Sequence, residues 1–181
     1  MKKIIVIIPI LLFTTPLLAQ FQLGGGLSYG MKTERAGLTL KGLNELGKRW
    51  KLSPAFTHFT NDPYVHRGGT LRFEDVSRHY SLDLDFHHEF DLQASRRFSA
   101  YTIAGVNFSF VVFNESRMIA PNQESLVTTT FNEVGINLGL GAGFQVSPAS
   151  SLYYEAKAVG FSDAGQLVLN FGFITTIGAK G

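Results

Sequence analysis

Residues 80–90 read Tyr-Ser-Leu-Asp-Leu-Asp-Phe-His-His-Glu-Phe, and they alternate without a break. Tyr80, Leu82, Leu84, Phe86, His88 and Phe90 share one parity, while Ser81, Asp83, Asp85, His87 and Glu89 share the other. A period of two separates these sets only in an extended strand, because helical spacing would mix them on every face. The same pattern recurs along the chain. It is clearest in 133–146, where Val134, Ile136, Leu138, Leu140, Ala142, Phe144 and Val146 oppose Glu133, Gly135, Asn137, Gly139, Gly141, Gly143 and Gln145.

Eight such segments can be counted, beginning near Phe21, Arg35, Trp50, Tyr80, Phe98, Asn132, Leu152 and Gln166. The second slips in pattern near Gly42–Leu43, where a bulge is expected. The third contains Pro54, which cannot donate to a ladder. Short connections at 46–49, 91–97 and 147–151 separate strands two and three, four and five, and six and seven. Longer polar stretches at 60–78 and 114–128 are expected to be loops on the opposite side. An even strand count with short turns at one end and long loops at the other is the plan of a transmembrane barrel.

Alternation alone also fits a soluble barrel, so the character of the polar face decides between them. In segment six that face is largely glycine, which covers nothing and weakens a water-facing strand. Inside a narrow eight-stranded barrel the same glycines leave space for side chains from the opposite wall. The apolar parity then faces lipid, with Trp50, Tyr29, Tyr80 and Tyr154 toward strand ends as interfacial aromatics. Closure follows, because backbone polar groups in hydrocarbon must all be paired. The fold expected is all-β: an eight-stranded antiparallel up-and-down transmembrane β-barrel, preceded by a cleaved signal peptide.

The signal peptide is read at residues 1–19. Lys2 and Lys3 lead an apolar run from Ile4 to Phe13, followed by a short tail ending at Ala19. The run is too short to span a bilayer. The barrel domain is assigned to 20–181 and the destination to the cell outer membrane. The chain has 181 residues and no cysteine, which excludes disulfides and thiolate chemistry. A formal net charge of +2 without a concentrated basic face gives no footprint for nucleic acid.

Charges on the inward parity need partners, since unpaired charge in a confined space is costly. A lumen network is expected from Lys32, Lys41, Lys51, Asp83, Asp85, His87, Glu89, Glu133, Glu155 and Lys157. It would plug the barrel. Arg67, Arg72, Arg78 and Arg117 are placed where anionic lipopolysaccharide could be touched, against the simpler reading of solvated loop charge. No catalytic, cofactor or metal site is assigned. His87 and His88 fall on opposite faces and cannot chelate together. "GLGAG" is a strand face and not a dinucleotide fingerprint.

"GGGLSYG", "KRWKLSPAFTHF", "YTIAGVNFSF", "VGINLGLGAGFQV", "SLYYEAKAVGF" and "LVLNFGFITTIG", in this order and number, carry a resemblance. The chain resembles the small outer-membrane β-barrel family, which includes the OmpA membrane domain, OmpX and the opacity-like "porin family" proteins of Gram-negative bacteria. The resemblance implies an exported barrel that is inserted by the barrel-insertion machinery, contacts outer-membrane lipid and lipopolysaccharide, and is a monomer. Asn170 and Gly172 suit the family's final-strand signal, whereas Thr175 stands where an aromatic is usual. "HFTND" (58–62) resembles the signature of outer-membrane lipid A deacylases, with Thr60 in the serine place and Glu74 or Asp75 as orienting carboxylate. Three functions stay open at this point: a structural or surface-binding barrel with a closed lumen, a narrow porin for small solutes, and a lipid A-modifying hydrolase.

Overall fold

The structure is a computed structural model. It describes residues 21–68, 71–90, 97–120, 123–160 and 165–177, with side chains except at 61–68, 71–77, 113–120 and 123–126. The expected signal peptide lies outside these residues.

Eight strands close into one antiparallel barrel in sequence order. They are β1 (Phe21–Gly30), β2 (Arg35–Glu45), β3 (Trp50–Gly68), β4 (Leu71–Phe90), β5 (Phe98–Ala120), β6 (Gln123–Ser147), β7 (Ser150–Gly160) and β8 (Gly165–Ile177). Closure runs through β1 and β8, from Phe21↔Ile177 to Gly30↔Val168. Both ends of the described chain therefore sit at one rim, here the terminal rim. The hairpin connections β1–β2, β3–β4, β5–β6 and β7–β8 lie at the other, the loop rim.

Each strand keeps the alternation of its sequence. Leu38, Leu40, Leu82, Leu84, Val134, Ile136, Leu138, Leu140, Phe171 and Phe173 are exposed on the outer wall. Ser81, Asp85, His87, Asn107, Glu155 and Lys157 are buried inside. The exterior is thus an apolar belt and the interior a polar core, the inverse of a soluble barrel. Aromatic rings edge the belt. Trp50 and His88 meet near the terminal rim with centroids 4.6 Å apart. Tyr80 stacks between His58 at 4.8 Å and Phe56 at 6.2 Å nearer the loop rim.

Two expectations change. The stretches 60–78 and 114–128 are mostly ladder, not loop. β3 and β4 stay paired from Asp62↔Ser77 to Gly68↔Leu71, beyond one irregularity at Phe59/Asp62. β5 and β6 stay paired as far as Ala120↔Gln123. Polar composition suggested loops, but above an apolar belt both strand faces can be polar and the period-two contrast fades. The wall formed by β3 to β6 therefore rises higher than the wall formed by β7, β8, β1 and β2. The bulge expected at Gly42–Leu43 is also absent. Lys41↔Ala55 and Asn44↔Leu52 keep one register across it. Leu43 stays on the inward parity of Lys41 and is buried, so what looked like a slip is an apolar residue in the lumen.

The glycines serve neighbouring strands more than the opposite wall. Gly141 is the ladder partner of Tyr101, whose ring occupies the place of a Cβ. The Tyr153 hydroxyl lies 2.6 Å from where a Cβ on Gly172 would stand, and 2.8 Å from one on Gly26.

Candidate functional site

The lumen is built in layers. At the terminal rim Lys51 pairs with Glu89 at 2.6 Å and reaches Glu45 at 3.9 Å, all partly solvated. Above this ring Leu43, Tyr153 and Ile174 form a buried apolar cluster. A cavity of about 90 Å³ between them touches Lys51, Glu89, Lys41 and His87.

The next layer centres on Glu155, which is 1% exposed. Lys41 Nζ pairs with its Oε1 and also lies 4.7 Å from the Tyr153 ring centroid. Tyr101 donates its hydroxyl to the same oxygen at 2.9 Å, and Asn170 Nδ2 donates to Oε2 at 3.4 Å. His87 Nε2 is 3.8 Å from Oε1, and its ring stacks on Tyr101 at 4.6 Å. A hydroxyl chain continues sideways: Thr57 to Thr39 at 2.7 Å, Thr39 to Ser28, and Ser28 to Asn170 Oδ1 at 2.6 Å.

Beside it, Lys157 Nζ donates to Asp85 Oδ2 at 2.8 Å and lies 3.2 Å from Asp83 Oδ2. Asn137 bridges the two carboxylates, donating to Asp83 at 2.8 Å and Asp85 at 2.7 Å. Asn107 donates to Asp83 and to Ser81, each at 2.6 Å. The two lysines are held by three carboxylates, which also accept from Tyr101, Asn107, Asn137 and Asn170, while His87 Nε2, Asn137 Oδ1 and the Tyr153 hydroxyl have no hydrogen-bond partner among the described residues. This is how a buried ionic cluster offsets its desolvation.

Phe59, Val159 and Val168 form a second apolar cluster above the network, and Phe59 stacks on His79 at 4.6 Å. A void of about 10 Å³ touches Phe59, Val168, Asp83 and Asn107, roughly the space of one water. Beyond it the loop-rim mouth opens into a cavity of about 480 Å³.

Of the ten residues expected in the lumen, Lys41, Asp83, Asp85, His87, Glu155 and Lys157 meet in the central network. Lys51 and Glu89 form the terminal-rim pair. Lys32 sits exposed in the 31–34 turn and Glu133 is exposed at the mouth; both line the 480 Å³ cavity and neither joins the network. Their parity is inward, but they lie beyond the level where the wall packs. Tyr101, Asn107, Asn137 and Asn170 complete the network, to which the sequence reading did not assign them, although each shares the inward parity that marked the charged residues. Arg78 is exposed on the outer wall, while the side chains of Arg67, Arg72 and Arg117 lie outside the described residues. His58 turns outward onto Tyr80. Among the described residues it makes no hydrogen bond to Thr60, and its Nδ1 has no partner. Glu74 and Asp75 lie outside the described side chains.

The chain matches no protein-family model and no curated protein sequence. Solved structures do resemble it. A major outer membrane protein from Thermus thermophilus superposes with a TM-score of 0.67 at 14% identity, over 87% of this chain and 98% of that one. The N-terminal β-barrel domain of Pseudomonas aeruginosa OprF gives 0.59 at 9% identity, over 87% and 97%. The attachment invasion locus protein Ail of Yersinia pestis gives 0.55 at 13% identity, over 87% and 97%. At these identities the likeness is one of fold: the chain has the architecture of the small eight-stranded outer-membrane barrels.

Proposed function

We propose that this protein is an integral outer-membrane β-barrel with a closed lumen, serving a structural or surface-binding role. The observation that carries the reading is the layered interior. Two apolar clusters bracket an ion-paired network, inside a barrel whose outer wall is a continuous apolar belt. Such a wall in water would expose far more contiguous apolar surface than a soluble monomer tolerates. Solved structures of similar fold include outer-membrane proteins, which supports the same location.

A porin needs a wetted path, and here the void between the upper cluster and the Asp83 group is about 10 Å³. A hydrolase needs a nucleophile held by a base, and His58 is stacked against Tyr80 on the outer wall instead. Arg78 stands outward on the row Arg78↔Val112↔Thr130, one step above Tyr80↔Phe110↔Asn132. That height suits contact with phosphates of lipopolysaccharide.

Fractionation of cells expressing the full chain, with gel migration of boiled and unboiled outer-membrane samples, tests the barrel. The folded form should migrate differently from the boiled form. Swelling of proteoliposomes in isosmotic sugar then tests the lumen. No swelling is expected, and sugar entry would overturn the closed-lumen reading.

A further inference from the structure

His79 stands at a partition. It is 5% exposed, yet it borders both the 480 Å³ mouth cavity and the 10 Å³ void beneath it. Ser109 and Gln166 also border both spaces, but His79 supplies the only ring among the three. That ring lies on Phe59 at 4.6 Å, and Phe59 belongs with Val159 and Val168 to the upper apolar cluster. On the far side of the void are Asp83 and Lys157 of the central network. The partition is outside the hydrocarbon. The outer face turns polar at the Tyr80↔Phe110↔Asn132 row, and the His79↔Val111↔Phe131 row is one residue nearer the loop rim.

Packing, more than hydrogen bonding, holds the ring in place. Ser109 donates its own proton to Asn107 Oδ1 at 2.8 Å, so it can only accept from His79, and that contact is long at 3.5 Å. The charged groups around the ring come from several elements: Arg35 of β2, Lys32 of the β1–β2 hairpin, Lys157 of β7, Glu133 of β6 and Asp83 of its own strand. β3, β5 and β8 bring Phe59, Ser109 and Gln166, none of them ionisable. Burial first, and the Arg35 guanidinium second, push the imidazole down to about 4.

From this placement we propose that His79 is an acid-operated latch on the upper seal. While neutral it lies on Phe59 and separates the void from the mouth. When it takes a proton from solvent it leaves the stack for the mouth, where water and Glu133 receive the charge, and the void opens upward. Free of the stack, an imidazole titrates near its ordinary value of about 6.5. Between about 6.5 and about 4 the swung-out ring therefore binds the proton and the stacked ring does not. Linkage then favours the open form as the pH falls through that window, by on the order of tenfold or more at about pH 5 relative to about pH 7.5. The lower cluster of Leu43, Tyr153 and Ile174 is not part of the latch, so the lumen stays closed to sugars.

The latch rests on the closed-lumen barrel, and boiled-versus-unboiled migration and sugar swelling read that separately in the same preparations. The chain has no cysteine, so Val168→Cys places a single thiol in the upper cluster, beside the void. The full chain with Val168→Cys, in lipid nanodiscs, is treated with 4,4′-dithiodipyridine, a thiol reagent that works in acid. The rate is measured at about pH 7.5 and about pH 5, with His79 intact and with His79→Phe, which keeps a ring on Phe59 but cannot take a proton. Dividing one rate by the other at each pH cancels the chemistry of the reagent. That ratio should rise on the order of tenfold from the higher pH to the lower. Arg35→Gln, which removes the facing guanidinium, should shrink the rise. His79→Leu replaces His79→Phe if the latter fails to migrate as a barrel. A ratio that does not change with pH, a rise that Arg35→Gln leaves untouched, or no labelling of a correctly migrating barrel at about pH 5 would each overturn the latch.

Discussion

At the residue scale, the interior is governed by the cost of a charge without its partner. Glu155 and Lys41 are both nearly inaccessible. Glu155→Leu would strand Lys41 in a site built for its counter-charge, and breaking a buried pair costs about 3–5 kcal/mol. Urea unfolding in lipid vesicles should show that loss. The double variant Glu155→Leu with Lys41→Met should recover much of it, because it removes both desolvated ions. If the double variant were as weak as the single one, the pair would not be the cause. Gly141 is limited by volume and not by charge. Gly141→Ala places a methyl into the Tyr101 ring, an overpacking cost of about 1–3 kcal/mol. In a Tyr101→Ala background the same substitution should be nearly free.

At the element scale, Pro54 poses a local problem for β3. It faces Gly42 across the β2–β3 ladder and brings no N–H, so the ladder is unpaired between Lys41↔Ala55 and Asn44↔Leu52. The Ser53 hydroxyl donates to the Gly42 carbonyl at 3.2 Å, and supplies the missing donor from the adjacent residue. Ser53→Ala should therefore leave a buried carbonyl unpaired and cost about 1–3 kcal/mol. Combined with Pro54→Ala, which restores an N–H, the cost of Ser53→Ala should shrink in the same unfolding assay. Equal costs in both backgrounds would show that the hydroxyl acts in some other way.

At the scale of the whole molecule, the barrel has a definite vertical position. The outward face changes from apolar to polar above Tyr80, Phe110 and Asn132, while Trp50 lies near the terminal rim. Trp50 is the only tryptophan and is 52% exposed on the outer wall. Its fluorescence in vesicles should be quenched more by lipids brominated close to the headgroup than by those brominated near the chain ends, as for an interfacial girdle. Preferential quenching by deep bromines would contradict this position. The seals are also a property of the whole. Opening one layer leaves the other, so Phe59→Ser alone should not admit sugar in the swelling assay. Joining it to Leu43→Ser, which breaches the opposite cluster, still leaves the ion network in place.

Much of this was legible in the chain because strand alternation is a local property. The backbone sends successive side chains to opposite faces whatever lies across the lumen, so the parity of Asp83, Asp85, Glu155 and Lys157 identified them as interior residues, and the glycine face of β6 identified the interior as crowded. Pairing is not local. Lys41 finds Glu155, and Lys157 finds Asp85 and Asp83, only after eight strands close with one set of registers that brings distant residues to one height. The same closure decided that Lys32 and Glu133, inward by parity, stand above the packed layer. It also decided that Leu43, an apparent slip in pattern, belongs to an apolar seal. The tall wall over 60–78 and 114–128 was hidden for a related reason: above the belt, water meets the outer face, and the contrast that makes a strand readable disappears.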